Sequence, residues 1–366
     1  MGGREFAMTA ELELSGIDVD TSAPVLVTGA TGYVAGWIIK GLLGAGVTVH
    51  AAVRDPKNTA KIAHLVDMAE TSRGDIQFYR ADLLAEGSYT EAMTGCGIVF
   101  HTASPFVRAV DDPQRDLIDP AVKGTTNVLS GANEVASVSR VVVTSSCAAI
   151  YTDAVDCENA PGGTITEEIW NTTASLTHEP YSYSKVLAER EAWRIADDQD
   201  RWRLVVVNPS LVIGPAQGPD PTSESFAIVK QIGDGTMRMG APQMGMGVVD
   251  VREVARAHIA AAYLPEAHGR YIVSGHNTDM LELAQSLRPR FGRDFPLPKR
   301  ALPKFMVWLA APFVGLSREF VAKNVGHVWR ADNAKSQREL GVTYRPMQES
   351  MEDMFSQMIE RQALAS

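Results

Sequence analysis

The chain has 366 residues, of which 45% are hydrophobic and 21% charged, and its formal net charge is −10. This balance suits a globular enzyme and excludes disordered and fibrous classes. An acidic chain without a strongly basic run also lacks what a nucleic-acid phosphate backbone rewards.

The three cysteines, Cys96, Cys147 and Cys157, show no CxxC spacing. Neither a disulfide framework nor a metal site is expected, and the residues read as reduced thiols of a cytoplasmic protein. No signal peptide is readable at the N-terminus. Residues 1–22 are polar, acidic and without period, so a mobile arm is expected there. Met1 to Phe6 reads as an appended cloning remnant ahead of a natural start at Met8.

The organising stretch is Pro24 to Gly46, PVLVTGATGYVAGWIIKGLLGAG. The run Val25 to Val27 breaks into a glycine turn, and Tyr33 to Leu43 then carries apolar residues at helical spacing. Strand, turn and helix lead into a second apolar strand, Val47 to Val53, completing a βαβ unit. Such a turn lets backbone N–H groups approach a pyrophosphate, with the helix N-terminus favouring its charge. Gly29, Thr31, Gly32, Tyr33 and Val34 are the expected contacts with a dinucleotide.

The second strand ends at Arg54-Asp55-Pro56-Lys57. A carboxylate here would accept from a ribose hydroxyl, whereas an arginine accommodates a 2′-phosphate. Arg54 with Lys57 close behind favours NADP(H), since a guanidinium grips phosphate bidentately. Asp55 keeps NAD open as the alternative. A helix over about Ala60 to Ala69 and a third strand, Ile76 to Arg80, follow. Asp82, with Leu83 beside it, is placed to meet an adenine amino group or to cap the next helix. A fourth strand, Ile98 to His101, runs into Thr102-Ala103-Ser104-Pro105, small enough for close approach of the cofactor. A helix around Lys123 to Val135 and a fifth strand, Arg140 to Thr144, complete an alternation that predicts an α/β fold, a doubly wound parallel sheet with helices on both faces.

Hydroxyls of Ser145-Ser146 at the end of the fifth strand face the ligand crevice of such a sheet. Further on, Tyr181 and Lys185 lie four residues apart at the start of a predicted helix, on one face of it. An ammonium about 4 Å from a phenolate in an effective dielectric near 20 contributes about 4 kcal/mol of stabilisation. Tyr181 is thus suited to give a proton to a developing alkoxide, with a hydroxyl of the Ser145-Ser146 pair donating to the same oxygen.

In that order, the features resemble the extended short-chain dehydrogenase/reductases. The nearest branch holds dihydroflavonol reductases, cinnamoyl-CoA reductases and yeast NADPH-dependent carbonyl and methylglyoxal reductases. The resemblance is carried by VTGATGYVAG (Val27 to Gly36), AAVRDPKN (Ala51 to Asn58), ADLL (Ala81 to Leu84), VFHTASP (Val99 to Pro105), VKGTTNVL (Val122 to Leu129), VVVTSSCAAIY (Val141 to Tyr151), YSYSKVLAE (Tyr181 to Glu189), NPSLVIGP (Asn208 to Pro215) and VVDVREVARAH (Val248 to His258). It implies a Rossmann fold, NADP(H) as cofactor, and Ser146, Tyr181 and Lys185 as the catalytic set. It further implies nicotinamide contacts at Pro209 and Val212, after a sixth strand (Leu204 to Asn208), and at Ser223. For Asn127, helix packing is expected rather than the proton relay of shorter relatives. THEPYSYSK (Thr177 to Lys185) departs from the KNWYCYGK-like segment of cinnamoyl-CoA reductases, which argues against a CoA thioester. Tyr151 stands where dihydroflavonol reductases carry an Asn, which argues against a flavonoid.

The expected organisation is an NADP-binding Rossmann domain over 23–214 and 248–273, with a smaller substrate-binding portion over 215–247 and 274–366. Met237, Met239, Met244 and Met246 would adapt to a bulky apolar substrate or fill an irregular core. FMVWLAAPFVGL (Phe305 to Leu316) is too short to span a bilayer, so no membrane partner is expected and the segment reads as a buried or groove-lining helix. The expected activity is NADPH-dependent reduction of a small-molecule ketone or aldehyde by a monomer or homodimer. The alternatives are an NAD(P)-dependent secondary-alcohol or hydroxysteroid-type dehydrogenase, or a non-catalytic NADP(H) sensor or scaffold.

Overall fold

The computed structural model describes residues 12–104, 110–219, 221 and 223–364; Met1 to Phe6, Met8 and Pro105 lie outside them. The Rossmann half runs β1 (Val25–Thr28), α1 (Tyr33–Gly44), β2 (Val49–Val53), α2 (Thr59–Glu70), β3 (Ile76–Arg80), α3 (Thr90–Met93), β4 (Ile98–His101), α4 (Asp119–Glu134), β5 (Arg140–Thr144), α5 (Ala154–Asn159), α6 (Pro180–Asp197) and β6 (Arg203–Pro209). Then follow β7 (Leu211–Ile213), α7 (Glu224–Gly233), β8 (Ala241–Pro242), β9 (Gly245–Asp250), α8 (Val251–Tyr263) and β10 (Gly269–Val273). The chain closes with β11 (His276–Asp279), α9 (Met280–Ser286), α10 (Arg288–Phe291), β12 (Ala301–Leu302), α11 (Lys304–Ala310), α12 (Arg318–Asn324), α13 (Ala334–Leu340) and α14 (Met347–Glu360).

Seven parallel strands form the main sheet in the order β10-β6-β5-β4-β1-β2-β3. Strand order reverses between β1 and β4, and the carboxyl ends on either side of such a switch point leave a crevice for a ligand. The central strands are apolar on both faces because helices cover both, whereas edge strand β3 (IQFYR) is only partly buried. On one side α1 buries Trp37, Ile38, Ile39, Leu42 and Leu43 in a core shared with α8.

α8 and β10 thus return to the sheet after the chain has left it. β7, β9 and β11 form a second sheet, which packs with α7, α9 and α14 around Val229, Leu283, Met354 and Phe355. Met246 is buried in that core and Met237 and Met244 pack against it, while Met239 is exposed. Of the two roles open to these methionines, core filling is the one three of them take.

Two expectations are corrected. The described part of the arm is laid down on the protein: Leu12, Leu14, Ile17 and Val19 pack against the main core, and Leu12 approaches Gly41 so closely that a Cβ there would lie 2.7 Å from its Cδ2. Its four apolar side chains bury surface that a polar reading of the composition overlooks. FMVWLAAPFVGL is not a buried helix. Only Val307 and Ala311 turn inward, and Phe305, Met306, Trp308, Leu309, Phe313, Val314 and Leu316 are exposed. Among the described residues, this short helix over a small satellite core has no partner layer for its other faces.

Candidate active site

The crevice is framed by the loops after β1 and β4. Gly29, with φ +61°, turns the chain out of β1, and a Cβ there would stand 3.0 Å from Ala103 Cα. A side chain at this position would therefore fill the gap between the two loops. Gly32 begins α1 without a side-chain cap, and the first turn holds no acidic residue. The leading N–H groups of a twelve-residue helix are thus available to an anion. Tyr33 commits its hydroxyl to the Gly214 carbonyl at 2.6 Å, so it and Val34 could serve a cofactor through backbone N–H groups.

Thr28 locks the two loops. Its Oγ1 accepts from the N–H groups of Thr102 (3.1 Å) and Ala103 (3.0 Å), so its proton goes to His101 Nδ1, 3.0 Å away. Thr102 in turn donates to the Thr28 carbonyl at 2.6 Å. Burial, reinforced by the Lys185 ammonium, pushes the His101 pKa down to about 3. On α8, His258 donates from Nδ1 to the Val254 carbonyl and accepts at Nε2 from Thr144 Oγ1, both at 2.7 Å. Burial takes its pKa to about 4 against the upward pull of that carbonyl.

Both imidazoles are neutral in the folded chain at neutral pH and gain a proton on unfolding below about 6.5. Their stability contribution is complete above that pH and is lost progressively as pH falls towards 4 and then 3. Together they steepen the loss by up to about 2.7 kcal/mol per pH unit. In a pH series of urea midpoints, His258→Gln should flatten this slope by about half its excess; an unchanged slope would contradict the assignment.

At the end of β5 the two serines take different partners. Ser145 is buried and donates to Glu189 Oε2. Ser146 is only partly buried, and its Oγ accepts from the Ala148 N–H at 3.1 Å. That bond occupies a lone pair and leaves the Ser146 proton for another acceptor.

α6 brings Tyr181 and Lys185 to the same place. Pro180 is its first residue, after Glu179 in the left-handed region at φ 52°. Lys185 Nζ lies 5.5 Å from the Tyr181 ring centre and donates to Ser104 Oγ at 3.0 Å. The cleft there is lined by His101, Ala103, Ser104, Thr144, Ser145 and Lys185. Tyr181 is 49% exposed, so its hydroxyl can meet a ligand.

The other expected contacts surround this point unevenly. Arg54 and Lys57 are exposed just past β2, and Asp55 accepts from the Lys57 N–H at 3.0 Å. Asp82 caps no helix; its Oδ1 accepts from the Leu84 N–H at 2.9 Å, closing a turn. Leu83 packs on Gly124. Asn127 holds that turn from α4, accepting from the Gly87 N–H and donating to the Leu83 and Ala85 carbonyls, so its carboxamide is structural. Pro209 ends β6, and Val212 lies in β7 beside Val249. Ser223 precedes α7 at its N-cap position, with its Oγ paired to Ser225 Oγ at 2.9 Å.

Sequence reading missed the support beneath the site. Buried Glu189, two turns after Tyr181 on α6, takes Arg270 Nε at 2.6 Å, Asn208 Nδ2 at 2.8 Å and the Ser145 hydroxyl. Arg270 also reaches the carbonyls of Glu167 and Ile169 and lies 4.1 Å over the Trp170 ring. Glu189 is the last residue of YSYSKVLAE, and its place on the buried face was the available signal. Among the described residues no group of three or more His, Cys, Asp or Glu could hold a metal ion, and no helix is long and apolar enough to cross a membrane. All three cysteines are buried and unpaired.

Residues 25–274 match the NAD dependent epimerase/dehydratase family profile. Cinnamoyl-CoA reductase CAD2 of Medicago truncatula is 35% identical over 343 residues, 92% of this chain and 96% of the relative. Tetraketide alpha-pyrone reductase 2 of Arabidopsis thaliana is 39% identical over 73% of this chain and 83% of its own. Among solved structures, yeast methylglyoxal/isovaleraldehyde reductase Gre2 complexed with NADPH superposes with a TM-score of 0.72 at 28% identity, covering 93% of this chain and all of that one.

Proposed function

The chain belongs to the NAD-dependent epimerase/dehydratase family, and from that membership we propose that it is an NADPH-dependent reductase of ketones or aldehydes that draws its proton from Tyr181. The observation that carries this reading is the meeting of Lys185 with both Tyr181 and Ser104 beside the β5 terminus that presents Ser146. The gap between Gly29 and Ala103 and the uncapped start of α1 fit a pyrophosphate, and NADPH is what the Gre2 neighbour holds.

Bound NADPH would supply the hydride; the chain's own residues handle the oxygen. Ser146, its lone pair engaged by Ala148, donates to the carbonyl oxygen as negative charge builds there. Tyr181 passes its proton to the same oxygen. Of the three Lys185 donors, one is held by Ser104, which leaves two for the nicotinamide ribose and the Tyr181 oxygen. The Thr28–His101 lock keeps Ala103 and Ser104 in place beneath them.

Arg54 selects the coenzyme in this reading by pairing with the 2′-phosphate. NADPH oxidation should be measured across aromatic ketones, aldehydes, β-keto esters and diketones, with NADH as control. A charged hydrogen bond contributes about 1.5–3 kcal/mol, so Arg54→Ala should raise the KM for NADPH about 10- to 100-fold and leave that for NADH nearly unchanged. Equal use of both coenzymes by the wild type, or an unchanged preference in the variant, would remove this role.

A further inference from the structure

We propose that the exposed helical hairpin between Lys299 and Lys323 is a peripheral docking surface for an anionic lipid bilayer. The inference is independent of the catalytic reading.

α11, the turn over 311–314 and α12 fold back around a small core of Val307, Ala311, Val321 and Val325, with Leu302 against it. The other apolar side chains point to solvent: Phe313 is 91% exposed, Val314 66%, Phe305 65% and Leu309 55%. Isolated exposed apolar residues are ordinary, but a contiguous set on one short hairpin marks an interaction surface.

Charge identifies the occupant. Residues 305–317 carry no charge, while the flanks hold exposed Lys299, Arg300, Lys304 and Arg318; Lys323, at the far end, is paired with Glu319 at 2.8 Å and lies 3.7 Å from buried Asp153, so the four exposed cations carry the local charge. The Arg318 guanidinium lies 4.1 Å over the Trp308 ring, so cation and apolar face adjoin. Apolar knobs flanked by lysine and arginine are the two signals that interfacial binding to anionic lipid requires. The chain as a whole carries −10, so the attraction to a negative leaflet comes from this locally cationic face and not from the net charge, and it sets the landing orientation.

A second copy fits less well. A two-fold contact through the patch would set its cations against themselves. A protein partner would need a cavity shaped for Phe313, whereas a fluid acyl region accepts a convex knob without one. α11 has seven residues, so the segment can insert only to interfacial depth.

The test is flotation of the full chain with vesicles of phosphatidylcholine alone and of phosphatidylcholine mixed with phosphatidylglycerol. The wild type should float about tenfold more with the mixed vesicles at low salt and lose that preference in high salt. Phe313→Asp with Val314→Asp should abolish flotation, and Lys299→Glu with Arg318→Glu should abolish the preference for the anionic lipid. Both double variants should keep the wild-type Tm and NADPH oxidation. Failure of the wild type to float with mixed vesicles, or flotation unchanged by the aspartates, would overturn the proposal. So would self-association that the aspartates abolish in a protein that binds no vesicle, since that result assigns the patch to a second copy.

Discussion

Tyr181→Phe is expected to lower kcat for carbonyl reduction about 10²–10⁴-fold while NADPH binding stays within a few-fold of wild type. The substitution removes one oxygen and the proton it carries, and leaves the ring beside Lys185. Tyr181 is half exposed near the start of α6, so no core is cut and Tm should not move. Its hydroxyl makes no hydrogen bond to another described residue, whereas the neighbouring Ser184 hydroxyl serves the helix by donating to the Tyr181 carbonyl at 2.7 Å. Turnover and NADPH affinity measured side by side decide the matter. Near-normal turnover would remove Tyr181 from the chemistry, and lost NADPH affinity would recast it as a binding residue.

Lys185→Met should have the second large effect, a fall in kcat/KM of about 10²–10³-fold, with a different signature. Here NADPH binding should weaken as well, because the ammonium that faces Tyr181 also has donors for the nicotinamide ribose. Methionine keeps much of the aliphatic stem and discards only the charge and its donors. Ser104 loses its 3.0 Å partner, but the loop remains held by Thr28. A loss confined to kcat, with NADPH affinity intact, would restrict Lys185 to orienting Tyr181.

The parts of the fold set by local pattern were readable in the residues. Val25–Thr28, Ile98–His101 and Arg140–Thr144 are strands where apolar runs predict them, because a doubly covered parallel strand writes itself as such a run; edge strand Ile76–Arg80 lies where it is expected although it is only partly buried. The four-residue spacing of Tyr181 and Lys185 became a real proximity because Pro180 starts the helix just before it. Order along the chain likewise brought the turn after β1 and the small residues after β4 to one crevice.

What escaped depends on partners distant in sequence. Glu189 and Arg270 lie 81 residues apart, and nothing in the helix period of α6 names the strand that supplies the guanidinium. The choice between Ser145 and Ser146 followed from resemblance; the residues alone did not reveal that Glu189 takes the Ser145 proton while the Ala148 N–H donates to Ser146 Oγ. Asp82 reads equally well as an adenine contact or a helix cap, and the turn onto Leu84 was a third use of the same carboxylate. FMVWLAAPFVGL has the composition of a core helix, yet burial requires a second layer, and among the described residues its small core is completed by Val321, Val325 and Leu302. Composition records what a segment could bury, and topology decides whether anything covers it.

The proposed chemistry requires that one hydrogen travel directly from nicotinamide to the carbonyl carbon while the oxygen takes its proton from the protein. Reduction of an accepted ketone by NADPH deuterated at nicotinamide C4, on one face at a time, tests that claim most directly. The account predicts that one labelled face gives an alcohol with a single deuterium on the carbinol carbon and that the opposite face gives none. An alcohol free of label from both, or turnover without net NADPH oxidation, would contradict it.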